Sequence, residues 1–303
     1  MSSHAEKIRQ DSGRYGRAGA LLAGCRPRQW TKNLLVLIAP LAAGVIQHPQ
    51  VQLRVLVAFL AFVLASCVIY LVNDLKDLAL DRAHPTKRYR PLASGRLPVP
   101  LARGAAPVLA VAALGVALLG GGALARIVGL YLASSLVYCF RMKHEVVLDL
   151  VFVLIGFLLR AIGGGVAARV SLSQWFLLTA GLGALFVVAG KRYAERVLAE
   201  RSGEWARPVL REYTLSYLRF VWTLAAAALL VTYALWAFTV AAHGDDARWS
   251  ALSILPFLVA LLRYAIIVDH GGAGEPEDIV LADRMLLGAG GLWLGLLLLA
   301  VYG

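Results

Sequence analysis

The sequence predicts an all-α polytopic membrane protein: a bundle of transmembrane helices whose longer loops cap its cytoplasmic end. Three observations carry this. Of the 303 residues, 60% are hydrophobic and only 16% are charged. The apolar residues gather into runs of about 17–25, the length at which a helix crosses a bilayer. The basic residues gather in alternate connections between those runs, the pattern that sets orientation in a membrane.

The chain reads as one transmembrane domain over 1–303, opened by a basic cytoplasmic segment over 1–30. That segment is charged, rich in Gly and Arg, and lacks the early apolar stretch of a cleaved signal peptide. Nine spans follow. The first, Asn33–Ile46, is short and can extend back through Trp30. Val51–Val72 is an unbroken apolar run that ends in carboxylates. Arg103–Gly122, Leu124–Phe140, Val146–Ala168 and Gln174–Gly190 are rich in Gly and Ala. Small residues of this kind, including the glycine triplets at 120–122 and 163–165, let helices approach closely and are not phosphate loops. Tyr217–Ala241, Trp249–Val268 and Asp283–Tyr302 complete the set.

Orientation follows from the charges. Of the 30 Lys and Arg residues, 24 fall before span one or in the connections after spans two, four, six and eight. The opposite side holds only Arg54, Arg126, Arg169 and Arg248, while Arg160 and Arg263 lie within spans. The N-terminus is therefore expected in the cytoplasm and the C-terminus outside, in a multi-pass protein of the inner (plasma) membrane. The longer loops, after spans two, six and eight, all face the cytoplasm, so the chemistry is expected there. The third, 269–283, is acidic through Glu275, Glu277 and Asp278 and either pairs with the basic loops or is solvated. The formal charge of +12 is thus a topology signal, and nucleic acid is not an expected partner; the lipid bilayer is. Cys25, Cys67 and Cys139 show no ligand spacing and are expected as free thiols.

The most informative stretch is 73–95. Asn73, Asp74, Asp77 and Asp81 lie three or four residues apart, which on a helix aligns them along one face. Carboxylates so aligned repel one another unless a cation sits among them, and oxygen-only ligands suit a hard ion such as Mg²⁺ that bridges to phosphates. Lys87, Arg88 and Arg90 follow at once, suited to phosphate oxygens. Carboxylates followed by cations at the end of a membrane helix suggest a site for a Mg²⁺-bound diphosphate. Taken singly, the aspartates would be a solvated helix end.

Three further constellations carry polar chemistry. Lys191-Arg192-Tyr193-Ala194-Glu195 closes span six, with Lys191 and Glu195 one turn apart; a snorkelling lysine is the simpler account of Lys191 alone. Arg26-Pro27-Arg28-Gln29-Trp30-Thr31-Lys32-Asn33 precedes span one and fits an interfacial basic belt or a phosphate clamp, with Arg28 and Lys32 as candidate contacts. Arg160, inside span five, is costly in hydrocarbon and should face the bundle interior and meet an anion. Asp149 on the same helix is about 16 Å away by the helical rise, too far for direct contact. Tyr138, near the cytoplasmic end of span four, is either an interfacial anchor or part of the same cavity.

At these residues the chain resembles the UbiA superfamily of intramembrane prenyltransferases. Asn73, Asp74, Asp77 and Asp81 match that family's first motif, Asn-Asp-x-x-Asp-x-x-x-Asp, in full, and Arg90-Pro91-Leu92-Ala93-Ser94-Gly95 matches its Arg-Pro-Leu-x-Ser-Gly signature. The resemblance implies a nine-helix bundle and Mg²⁺ held by Asn73, Asp74, Asp77 and Asp81. It also exposes a departure. The family's second motif, Asp-x-x-x-Asp, reads Lys191-x-x-x-Glu195 here, replacing one carboxylate by a cation. That form, the basic segment at 26–33 and Pro276-Glu-Asp-Ile-Val280 resemble a branch of the superfamily that transfers a phosphoribosyl group. In that branch the donor is 5-phosphoribosyl 1-diphosphate (PRPP), the acceptor is a polyprenyl (decaprenyl) phosphate, and the product feeds the donor of cell-wall arabinan.

The roles the resemblance implies are these. Asp77, Asp81 and Lys191 act in catalysis. Lys87, Arg88 and Arg90 hold diphosphate or 5-phosphate oxygens; Lys191, Tyr193 and Glu195 bind the ribosyl phosphate end; Arg28, Lys32 or Arg160 steer the lipid phosphate; and Tyr138 is a further substrate-binding candidate. Two alternatives remain open at this point. One is a prenyltransferase acting on an aromatic acceptor, against which Lys191 weighs. The other is a transporter with an ionisable path through Asp149, Arg160 and Arg263, which leaves the aligned aspartates unexplained. A homo-oligomer is compatible with any of these readings.

Overall fold

The computed structural model describes residues 16–203, 208–241, 247–272 and 276–303. Lys7, Arg9, Arg14, Arg207 and Glu275 of the charge pattern lie outside the described residues, as does the side chain of Glu277. The chain divides into two compact units.

The first unit takes 1–40, 46–141 and 159–170. It opens with α1 (Arg17–Gly24), a 3₁₀ segment (Pro27–Leu37) and the start of α2 (Ile38–Ala42). It continues with α3 (Pro49–Lys76), α4 (Leu78–Ala83), a 3₁₀ turn (Lys87–Tyr89), α5 (Val99–Leu119) and α6 (Gly122–Phe140). It closes with the second half of α7 (Leu148–Ala168). The apolar run of α3 packs mainly on α5 and also on α6. Lys76, in the last turn of α3, reaches the carbonyls of Cys139 (2.9 Å) and Phe140 at the end of α6. There a cation satisfies two of the acceptors a helix terminus leaves open.

The second unit takes 41–45, 142–158 and 171–303. It holds the first half of α7, α8 (Gln174–Ser202), a 3₁₀ turn (Pro208–Arg211) and α9 (Leu215–Ala241). It ends with α10 (Ala247–Leu252), α11 (Ile254–Asp269), α12 (Pro276–Ala282) and α13 (Arg284–Tyr302). Its core is aromatic: Phe186 and Tyr193 on α8 both stack on Trp222 of α9, at 5.8 and 5.7 Å between centroids. Asp283 caps α13 by accepting from the Leu286 N–H at 2.9 Å and pairs with Arg263 at 2.6 Å. The Arg263 guanidinium and that N–H hold its carboxyl below the usual carboxylate range.

Among the described residues, eight helical segments are long and apolar enough to cross a membrane, where the sequence suggested nine. They fall where eight of the expected spans lie, α10 and α11 together making one; this is an all-α, multi-pass membrane protein. The first expected span is the exception: it forms the 3₁₀ segment Pro27–Leu37 and the five residues of α2. An α-helix through this stretch would need an N–H at residue 40 to bond the Val36 carbonyl, and Pro40 has none. The second half of α7 also comes against that carbonyl, since a Cβ built on Gly164 would stand 1.9 Å from the Val36 oxygen. A Cβ on Gly163 would stand 2.5 Å from the Phe62 ring. Gly163 and Gly164 therefore act as a close-packing device, as read from the sequence for the triplet they belong to. Gly164→Ala is expected to destabilise the protein by about 1–3 kcal/mol, because backbone must move to admit the methyl. Thermal unfolding in detergent would check this, and a midpoint equal to the parent's would contradict the contact.

Candidate active site

The first-motif residues straddle a break in the backbone. α3 ends at Lys76, and Asp77 takes φ −89° and ψ 8° before α4 begins. The expected single helical face is therefore interrupted, yet the bonds Asp77 N–H to Asn73 O (2.9 Å) and Asp81 N–H to Asp77 O (2.8 Å) keep its spacing. As a result, Asp74 and Asp81, both buried, meet on one guanidinium. Arg90 Nη1 lies 2.7 Å from Asp81 Oδ2 and 3.3 Å from Asp74 Oδ1. Arg26 also pairs with Asp74 Oδ1, and its guanidinium lies over the Tyr70 ring at 5.1 Å. Asn73 and Asp77 are half-buried in the same two turns.

The loop that delivers Arg90 explains its sequence. Leu92 and Leu97 are buried against Ala20, Leu71 and Ala102. Between them Gly95 adopts φ +80°, a left-handed conformation that favours glycine. The Ser94 hydroxyl donates to the Arg90 carbonyl at 2.8 Å, and the Leu97 N–H to the Pro91 carbonyl at 2.8 Å. Arg90 is thereby fixed at its backbone while its side chain stays 28% exposed. Lys87 is half-buried and Arg88 exposed on the preceding 3₁₀ turn, where Arg88 donates to the Tyr89 hydroxyl at 2.9 Å.

This donor set fits Mg²⁺. Among the described residues, no group of three or more His, Cys, Asp or Glu side chains converges as a complete metal cage. Mg²⁺ needs none: it is held by one or two carboxylates, with waters and substrate phosphates completing the shell. Two buried carboxylates with Asn73 and Asp77 beside them offer that, through oxygen atoms alone.

Arg160, in the same unit, donates to Asn33 Oδ1 at 2.8 Å, Ser66 Oγ at 3.2 Å and Tyr131 Oη at 2.8 Å, and lies over the Tyr131 ring at 4.6 Å. This network ties the 3₁₀ segment to α3, α6 and α7. Arg28 is exposed and Lys32 half-buried on that 3₁₀ segment, and Tyr138 is half-buried near the end of α6. None of the contacts described joins these three to Arg160.

In the second unit α8 continues well past Gly190, so the Lys191–Glu195 cluster is helical. Lys191 is half-buried. Arg192 is buried, with Nε 2.8 Å from Asp149 Oδ2 and Nη1 3.2 Å from Glu195 Oε2. The Tyr213 hydroxyl donates to Asp149 Oδ1 and accepts the Val147 N–H at 2.8 Å. Burial first, and then the bond to Asp149, push the Tyr213 phenol well above its usual range. Val147 is at φ +70°, a costly conformation for a β-branched residue, and Tyr213 holds it there. Tyr193 is buried, and its hydroxyl donates to Asp269 at 2.9 Å and accepts from Arg219 at 2.6 Å.

The structure thus brings Asp74, Asp81 and Arg90 together, and separately Glu195 with Arg192. Sequence reasoning passed over the roles of Arg26, Asn33, Ser66, Tyr131 and Tyr213, and gave Asp149 no partner in Arg192. Polar residues inside apolar runs were the available signal for Ser66 and Asp149. The basic run at 26–33 marked Arg26, but no local signal gives its partner or that of Tyr213, which lie 48 and 64 residues away.

Residues 34–281 match the model of the UbiA prenyltransferase family. The chain is 50% identical over 293 residues to a protein of Mycolicibacterium smegmatis named decaprenyl-phosphate phosphoribosyltransferase, covering 93% of this chain and 92% of that one. A protein of the same name from Mycobacterium tuberculosis is 51% identical over 265 residues, covering 86% of this chain and 87% of that one. In fold, the chain is similar to a UbiA homolog from Archaeoglobus fulgidus solved with DMAPP and Mg²⁺. The TM-score is 0.70 at 17% identity, covering 93% of this chain and 97% of that one. The chain belongs to the UbiA prenyltransferase family.

Proposed function

We propose that this protein transfers the 5-phosphoribosyl group of PRPP to a polyprenyl phosphate such as decaprenyl phosphate, releasing diphosphate, at the cytoplasmic face of the plasma membrane. The observation that carries this reading is the buried Asp74–Arg90–Asp81 centre, a cation-and-carboxylate site for a diphosphate, in a chain about half identical to relatives bearing the name above. The positive-inside charge pattern supports the cytoplasmic orientation.

Asn73, Asp74, Asp77 and Asp81 are the residues that would hold Mg²⁺. When bound, the ion neutralises charge developing on the departing diphosphate. Arg90, with Lys87 and Arg88 near it in sequence, binds phosphate oxygens; the partial exposure of Arg90 lets it turn from the carboxylates to a ligand. Lys191 is assigned to a phosphate of the donor. Tyr193 and Glu195, whose polar atoms are shared with Arg219, Asp269 and Arg192, hold that turn of α8 in place. An oxygen of the lipid phosphate attacks the anomeric carbon, the bond to the diphosphate oxygen breaks, and a single in-line displacement inverts that centre. The nucleophile is already anionic, so no general base is required. Arg28, Lys32 and Arg160 are candidates for steering the lipid phosphate, with Tyr138 as a further substrate-binding candidate, and a product of this kind would serve cell-wall arabinan synthesis.

The test incubates the purified protein with labelled PRPP, polyprenyl phosphate and Mg²⁺. Label passing into the lipid fraction with release of diphosphate is the expected result. Transfer of a prenyl group to an aromatic acceptor, with no ribosyl transfer, would replace this reading. Lys191→Asp is expected to raise the Michaelis constant for PRPP at least tenfold with little change for the lipid, because inverting one of a close charge pair is costly. Lys191→Ala should fall between. A PRPP titration on each variant at fixed Mg²⁺ and lipid checks this, and an unchanged constant in Lys191→Asp would leave Lys191 as an interfacial snorkelling residue.

A further inference from the structure

The second unit holds a second acidic pair, Asp149 and Glu195, and the structure shows what already balances it. Arg192 sits between the two carboxylates, with Nε on Asp149 and Nη1 on Glu195. The remaining Asp149 oxygen is taken by the Tyr213 hydroxyl. Arg192 thus supplies at this pair positive charge that an ion would otherwise bring.

The two units differ in how firmly their arginines are held. Arg26 and Arg90 are each 28% exposed. They stand on irregular backbone, Arg26 at φ 53° before the 3₁₀ segment and Arg90 in the loop before Leu92. Either can swing away and leave Asp74 and Asp81 to an ion, with Asn73 and Asp77 as further oxygen donors. The Arg192 side chain is 4% exposed within α8, and Asp149 is fully buried. An ion entering there would have to expel a buried guanidinium and then sit beside it. A buried charge stripped of its partner is strongly unfavourable. The donor set of the second pair therefore does not fit a divalent ion.

We propose that Arg192 is the resident cation of this second pair, so that the protein takes up divalent metal at its first motif alone, one ion per chain. This rests on the reading of Asp74 and Asp81 as metal ligands given above. The test uses the full chain in lipid nanodiscs with Mn²⁺ and inorganic diphosphate. Bound ions are counted by electron paramagnetic resonance against a protein-free reference. The parent should bind one Mn²⁺ and Asp81→Asn none. Glu195→Gln, which keeps the side-chain shape and the Arg192–Asp149 pair, should still bind one. A second ion in the parent that disappears in Glu195→Gln would overturn this inference while leaving the first-motif reading intact. No bound ion in the parent would overturn both.

Discussion

Asp81→Asn is expected to lower turnover by about 10²–10³-fold while leaving the fold in place. The carboxylate is buried and sits 2.7 Å from Arg90, so it is not a solvated helix end, and the reading proposed above makes it a ligand of the ion. Removing one preorganised group that stabilises developing charge costs about that factor. The amide keeps the size of the side chain, and Arg90 retains Asp74 as a partner at 3.3 Å, so the loop from Arg90 to Leu97 has no reason to unfold. Initial rates of label transfer at saturating donor and lipid give the effect, and thermal unfolding of the same preparation separates it from misfolding. Excess chelator should abolish activity in the parent, and added Mg²⁺ or Mn²⁺ should restore it. Parental turnover in Asp81→Asn, or undiminished activity in chelator, would remove the metal role from this motif.

What could be read from the sequence was what local periodicity records. Apolar runs with charged ends located the second to ninth spans to within a few residues, save the end of the sixth, whose helix runs on to Ser202 through charged residues that hydropathy does not count as span. The seven-residue separation of Asp74 and Asp81 is two helical turns, and the structure joins both to Arg90 despite the break at Asp77. The first expected span is not one long α-helix, a difference hydrophobicity does not record because it does not distinguish a 3₁₀ segment from an α-helix; the proline at 40 and the approach of Gly164 account for it. Arg160 was rightly expected inside the protein, where it donates to Asn33, Ser66 and Tyr131, up to 127 residues away in sequence. In the Lys191–Glu195 cluster, spacing drew attention to Lys191 and Glu195. The residue between them in sequence, Arg192, makes the buried pair, because its partner Asp149 comes from another helix.

Asp149→Ala should be among the most destabilising substitutions in the second unit, at up to about 3–5 kcal/mol, because it takes from the buried Arg192 the nearer and fully buried of its two carboxylates and leaves only Glu195 at 3.2 Å. Two further losses follow: the Tyr213 hydroxyl loses its acceptor, and with it part of the hold on the Val147 backbone at φ +70°. The size of the effect should come from the weakened charge pairing more than from lost packing, and a double substitution separates the two. Arg192→Met alone leaves Asp149 as the unpaired ion and should be comparably harmful. Asp149→Ala combined with Arg192→Met removes both charges and should recover a large part of the loss, since a buried ion pair replaced by apolar groups is often near neutral. Unfolding midpoints of the four proteins in one detergent close the cycle. If Asp149→Ala shifts stability by less than about 1 kcal/mol, or if the double variant is as unstable as the sum of the two single ones, the pair is not the electrostatic anchor of the α7–α8 contact.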